Sequence, residues 1–282
     1  MLSLSRTVRI SLGPPPTAAA SHDPTGGNGL VSVCPAAGLA PTVELEVACR
    51  GALVGSAKAS GYLVDITVID RAVRDRVAPL LRAALRDELD GTPTDLLRLL
   101  TQCASTLAPA LPAHLATLTY RSSPFRSASL EHPTDSVPTP EGSPSMQHAF
   151  VLTETFEFAA SHRLHLPAAS DAENRALFGK CNNPNGHGHN YRIEVAAAVP
   201  ATERPRLDFA AIERIVQSEI MARFDHKHLN LDCPEFANLN PSVEHIAMVC
   251  HGLLAPRFAE VGAALRWVRV WETEKTSCRY PA

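Results

Sequence analysis

The chain has 282 residues, 45% of them hydrophobic and 20% charged, with a formal net charge of -3 and a pI near 6.5. That length allows one large domain or two ordinary ones, and the near-neutral balance provides no field to gather nucleic acid or an anionic membrane surface, so neither partner is expected. Seven cysteines at irregular spacings speak against a disulfide framework and for a reducing compartment, the cytoplasm, and no apolar run reaches bilayer length.

From Leu4 to Leu12 apolar and polar residues alternate, Arg6 excepted, which predicts a half-buried antiparallel strand. Residues 13–29, with Pro14-Pro15-Pro16 and Gly26-Gly27, read as loop, and Pro41 to Arg50 supplies a second alternating strand. The period then changes. Ile66, Ile69, Val73, Val77, Leu80, Leu81, Ala84 and Leu85 recur at three and four and predict an amphipathic helix begun near Asp65. Gly91-Thr92-Pro93-Thr94 breaks it and caps a second helix from Asp95 to about Leu107. His114 to Arg121 restores strand character, followed by a short strand from Phe125 to Leu130. Residues 131–147 hold four prolines and almost nothing apolar, the composition of an extended linker.

The second half repeats this order. His148 to Phe158 and Asn190 to Val199 read as strands, and Phe209, Ile212, Ile215, Val216, Ile220 and Phe224 as an amphipathic helix. Asn240-Pro241-Ser242 caps a helix to about Leu254, and Leu265 to Glu272 opens a closing hairpin. Two copies of one unit is the economical explanation, with domains expected at 1–130 and 148–282. Leu63-Val64-Asp65 answers Arg206-Leu207-Asp208, and Thr92-Pro93-Thr94 answers Asn240-Pro241-Ser242. The first copy lacks the chemistry of the second; Tyr120-Arg121-Ser122 stands where Trp271-Glu272-Thr273 does.

That chemistry centres on the turn Phe178-Gly179-Lys180-Cys181-Asn182-Asn183-Pro184-Asn185-Gly186-His187-Gly188-His189-Asn190-Tyr191. His187 and His189, two apart at a strand entry, project both imidazoles to one side. His162, at the end of the preceding strand, would join them, and three neutral imidazoles make an open zinc site with a position left for water or substrate. Cys181 is either a packing thiol or a base or nucleophile activated by Lys180 and a nearby cation. Asp225-His226 is either a solvated helix end or a carboxylate orienting a proton-exchanging imidazole. Glu272 is either a surface strand residue or a carboxylate gripping a guanidine-like edge. His165, His228, His245 and His251 read as ordinary histidines.

These stretches, with Phe158-Ala159-Ala160-Ser161-His162-Arg163-Leu164, Leu207-Asp208-Phe209, Asp225-His226-Lys227, Asn240 to Glu244 and Trp271-Glu272-Thr273, resemble the 6-pyruvoyltetrahydropterin synthase family, which includes the bacterial 6-carboxytetrahydropterin synthases. The resemblance covers residues 148–282. It implies an α+β T-fold, an antiparallel sheet of about four strands with a helix pair between its two hairpins, here in tandem with a degenerate copy. Carried over residue by residue, it implies zinc on His162, His187 and His189. Cys181 becomes the catalytic base, Asp225 and His226 its proton-transfer partners, and Glu272 and Glu244 the substrate-binding carboxylates. The implied substrate is 7,8-dihydroneopterin triphosphate, and the Cys181-to-His187 spacing leans towards the 6-pyruvoyl product over the 6-carboxy one. A non-catalytic pterin- or metal-binding T-fold is the alternative. Homo-oligomers are implied, a trimer of two-domain chains being favoured, with sites shared between neighbouring T-folds. His228 departs from the family pattern, where Asn is common.

Overall fold

A computed structural model describes residues 1–13, 41–53, 61–92, 94–132, 149–201 and 206–282. Residues 14–29 of the expected first loop and 133–147 of the expected linker lie outside them. The chain divides into two compact units, one over Met1–Val151 with Pro200–Glu203, the other over Leu152–Val199 and Arg204–Ala282.

The first unit carries strands β1 (Leu2–Ser11) and β2 (Thr42–Gly51), helices α1 (Ile66–Ala72), α2 (Ala78–Leu89) and α3 (Leu96–Leu107), then β3 (His114–Ser123) and β4 (Arg126–Glu131). The four strands are consecutive antiparallel neighbours. Alternation in β2 turns Val43, Leu45, Val47 and Cys49 inward, all nearly or fully buried. Each large side chain so buried contributes about 1.5–3 kcal/mol. Helices α1 and α3 start where the chain supplies an acceptor for orphan amides: Asp65 takes Thr67 N–H and Asp95 takes Arg98 N–H.

The second unit holds most of β5 (Ala149–His162), then α4 (Asp171–Phe178) and most of β6 (His187–Pro200). Helices α5 (Phe209–Val216) and α6 (Ala222–Phe224), strand β7 (Lys227–His228), and helices α7 (Leu229–Asp232) and α8 (Val243–Glu260) follow, then the hairpin β8 (Ala264–Thr273) and β9 (Thr276–Tyr280). β5 neighbours β6, which pairs antiparallel with β8, and β8 with β9; the two residues of β7 run parallel to Ala160 and Ser161 of β5. Among the described residues no helix is long and apolar enough to cross a membrane.

Two helices differ from the periodicity-based expectation. The helix from Phe209 to Phe224 contains a π-helical turn at Gln217–Met221, which brings Glu219 and Ile220 inside together. The same device stands at Val73–Val77 between α1 and α2. Secondly, α8 passes through Pro256 instead of stopping near Leu254. It packs on β8 and β9 and fully buries Leu254 and Phe258, a gain that outweighs the roughly 3 kcal/mol cost of an interior proline.

The units match at the level of register. The β2–β3 ladder shifts between Ala48 and Cys49, the β6–β8 ladder between Ala196 and Ala197. The closing hairpins shift again next to Ser123↔Arg126 and Thr273↔Thr276. This register sets Ser122, not Arg121, opposite Glu272, a correction of one residue to the alignment read from the sequence.

Candidate metal centre and its surroundings

Strand β5 ends at His162, whose side chain is fully buried, and β6 opens with His187-Gly188-His189. The turn between them is drawn tight at Gly186. Its φ of 72° is one that side chains disfavour, and a Cβ there would lie 2.8 Å from His228 Nε2 and 3.0 Å from the His162 carbonyl oxygen. Only glycine lets the two histidine-bearing strand ends approach this closely.

The geometry brings His162, His187 and His189 together, with one nitrogen of each within 4.8 Å of the others. The hydrogen bonds say which nitrogen of His162 faces the group. Its Nδ1 lies 2.7 Å from the Pro241 carbonyl oxygen, which can only accept, so Nδ1 carries the hydrogen and Nε2 is bare. Tyr191 Oη, 3.3 Å from the same Nδ1, braces the ring. The bare Nε2 sits 3.1 Å from His187 Nε2 and 3.3 Å from Glu272 Oε1, while His189 Nε2, 3.7 Å from the same carboxylate oxygen, is buried without a hydrogen-bond partner. The unprotonated Nε2 of His162 thus turns a lone pair towards two further imidazoles and a carboxylate, an arrangement that a cation among them would satisfy. The donor set therefore fits a divalent metal ion.

Protonation agrees. Burial lowers the His162 pKa to about 4, helped by neighbouring imidazoles, and burial followed by the charge of His189 lowers that of His187. Both are neutral at pH 7, as ligands must be. Burial also raises the Tyr191 hydroxyl's pKa, so it remains a phenol.

The other expected site residues fall around this centre. Asp225 accepts the Ala159 N–H at 2.9 Å and holds His226 Nδ1 at 2.9 Å. The Ala159 bond chiefly, with His226 behind it, lowers the Asp225 pKa. His226 has a φ of 58° and donates its own N–H to the Ala159 carbonyl, and its imidazole is 81% exposed. A non-glycine residue held in this region carries backbone strain. His226 and His189 line one open cleft of about 610 Å³, with Lys227 and His228 beside them.

Cys181 lies in a helical turn at Gly179–Asn182, pinned by the Leu164 N–H to Cys181 carbonyl bond. It lines neither that cleft nor a second one, whose lining includes Arg163, His165, His228 and Asn240. Among the described residues no hydrogen bond joins its thiol to His226. Glu244 is exposed on the first turn of α8, its charge felt by Cys278 of β9 and not joined to the three histidines by any ion pair among the described residues. Glu272, expected as a separate anchor, stands against the histidines themselves.

Sequence reasoning missed Tyr191, Pro241 and His228. Tyr191 follows His189 by two on the same strand and so was legible from the period alone. Pro241 acts through its backbone carbonyl, and a backbone acceptor leaves no trace in the choice of residue. His228 was read as ordinary, yet it contacts the metal turn and is the residue common to two clefts.

An α+β unit whose strand ends gather three imidazoles and a carboxylate defines a metal-site T-fold protein. The description "6-pyruvoyl tetrahydropterin synthase" belongs to the family whose model matches residues 151–282. A human 6-pyruvoyl tetrahydrobiopterin synthase is 38% identical over 132 residues, covering 46% of this chain and 89% of that protein. A Drosophila melanogaster protein of the same name is 42% identical over 106 residues, covering 37% of this chain and 63% of its own length. A solved Caenorhabditis elegans 6-pyruvoyl tetrahydropterin synthase is 31% identical, with a TM-score of 0.42, covering 48% of this chain and 97% of that one. The chain belongs to the 6-pyruvoyl tetrahydropterin synthase family.

Proposed function

We propose that the protein is a zinc-dependent lyase that takes 7,8-dihydroneopterin triphosphate, eliminates triphosphate and yields 6-pyruvoyl-tetrahydropterin. The observation that carries this reading is the bare His162 Nε2 converging with His187 Nε2 and Glu272 Oε1. Zinc held by His162, His187 and His189 would supply Lewis acidity to the side-chain oxygens of the substrate, stabilising negative charge as a neighbouring proton leaves.

The remaining steps belong to the chain's own groups. Cys181 removes and returns the carbon-bound proton as thiolate and thiol, and Asp225 holds His226 so that the imidazole exchanges protons with Cys181 or the substrate. Glu272 receives the amino-pyrimidine edge of the pterin through parallel hydrogen bonds, and Glu244 serves the same pocket. The outward-facing His226, whose cleft Cys181 does not line, supports a site completed by a second copy of the chain, in a homo-oligomer for which a trimer of two-unit chains is the reading. A monomer mass at micromolar concentration would overturn the oligomer.

The test of function is to incubate the zinc-loaded protein with 7,8-dihydroneopterin triphosphate and weigh the product. A mass of 6-pyruvoyl-tetrahydropterin is expected. The 6-carboxy product would assign the sibling activity instead, and tight pterin binding without turnover would make the unit a binding module. Cys181→Ala should abolish turnover while zinc stays near one per chain; loss of zinc in that variant would make the thiol a ligand.

A further inference from the structure

A second cleft, of about 400 Å³, lies beyond His228, between the loop that follows β5 and the segment from Asn230 to Asn240. His228 lines both clefts, which makes them neighbours across one imidazole. The size suits part of a small molecule. Its lining holds Arg163, His165, His228 and three asparagines over an apolar floor that includes the buried Phe236, and no aspartate or glutamate.

The hydrogen bonds among these residues leave mainly donors unspent. Asn182 gives its Nδ2 hydrogens to the Leu164 carbonyl at 2.7 Å and to His165 Nδ1 at 3.1 Å, so His165 Nδ1 accepts and its Nε2 bears a hydrogen. Asn240 spends its Oδ1 on the His165 N–H at 3.1 Å and keeps its amide hydrogens. Arg163 makes only two long bonds, to the Asn182 carbonyl oxygen at 3.2 Å and to Asn182 Oδ1 at 3.4 Å, and no ion pair joins it to a carboxylate among the described residues. A guanidinium, an imidazole N–H and an amide with nothing acidic opposite them select an anion.

We propose that this cleft is an anion subsite that holds the phosphate chain of a ligand whose reacting end lies at the three histidines. It rests on the functional reading above for the identity of that ligand, and on the donor inventory for the subsite itself. His228 positions the chain between the two clefts.

The test uses inorganic tripolyphosphate, titrated calorimetrically into the zinc-loaded full-length protein. One equivalent should bind, more weakly as salt is raised. Asn238→Asp puts a charge on an exposed lining residue with little change of shape, and should weaken tripolyphosphate at least about tenfold while zinc content and circular dichroism stay unchanged. Arg163→Gln should do the same, but its Asn182 bonds tie it to the fold, so Asn238→Asp decides. His187→Ala should still bind tripolyphosphate. Equal affinity in wild type and Asn238→Asp, absence of binding, or loss of binding in His187→Ala would each overturn the subsite. Turnover separates the two readings. If Asn238→Asp leaves KM for the triphosphate substrate unchanged while product forms, the subsite fails and the function stands. Tripolyphosphate binding that obeys the variants in a protein that forms no pterin product fails the function and keeps the subsite.

Discussion

At the scale of single residues, the centre depends on imidazoles kept neutral by burial. His162 titrates near 4 in the fold against an ordinary value of about 6.5. Its folded pKa is depressed, so its stabilising contribution is complete above about 6.5 and is lost as pH falls towards 4, where the unfolded chain takes up the proton first. The urea midpoint of metal-free protein should therefore drop between pH 7 and pH 5, and His162→Gln should flatten that dependence. Bound metal will be released over the same window, because the proton and the cation compete for the same nitrogen. Gly186→Ala should cost about 1–3 kcal/mol and reduce zinc content, since it forces both a disfavoured φ and a Cβ against His228 and the His162 carbonyl. The three histidines were readable because a period of two and a strand end need no tertiary knowledge. The place of Glu272 was not, since its side chain reaches the histidines only through the β6–β8 register and the shift between Trp271 and Thr273.

At the scale of elements, the histidine-bearing strand ends are held by polar plugs in the loops. Asn174, fully buried on α4, accepts the Leu166 N–H at 2.7 Å and donates to the carbonyls of Leu166, Ala169 and Ser170. One amide thus serves the backbone between Leu166 and Ser170, just ahead of α4, which the capping box of Ser170 and Glu173 then starts. Asn174→Ala should lower stability by about 1–3 kcal/mol, read from the urea midpoint, because it strands these buried backbone groups. Asn230 does a similar thing from α7, taking the Arg163 N–H and giving to the Arg163 carbonyl. Strands, caps and helix starts were legible from alternation and from Asp65, Asp95, Asp208 and Ser242. The π-helical turns and the passage of α8 through Pro256 were not, because each is decided by what the helix buries on its far side and not by local propensity.

At the scale of the whole molecule, two units repeat one plan down to the ladder shifts, and among the described residues the group of three histidines that could hold a metal ion lies in the second. Ser122 stands where the aligned ladders set Glu272. Each unit has its own buried strand residues, Leu45 and Val47 in the first, Ile193 and Val195 in the second. A ligand that binds only one unit can stabilise only the transition in which that unit unfolds, by about 2.7 kcal/mol at a hundredfold excess over its dissociation constant. Calorimetry of the full chain should therefore show two transitions, of which zinc raises one. Leu45→Ala, which empties a fully buried position of the first unit at a cost of about 2–5 kcal/mol, should lower the other while zinc content stays the same. A single transition moved by both zinc and Leu45→Ala would mean that the two units unfold as one block. The copy without ligands would then contribute its stability directly to the copy that holds the metal.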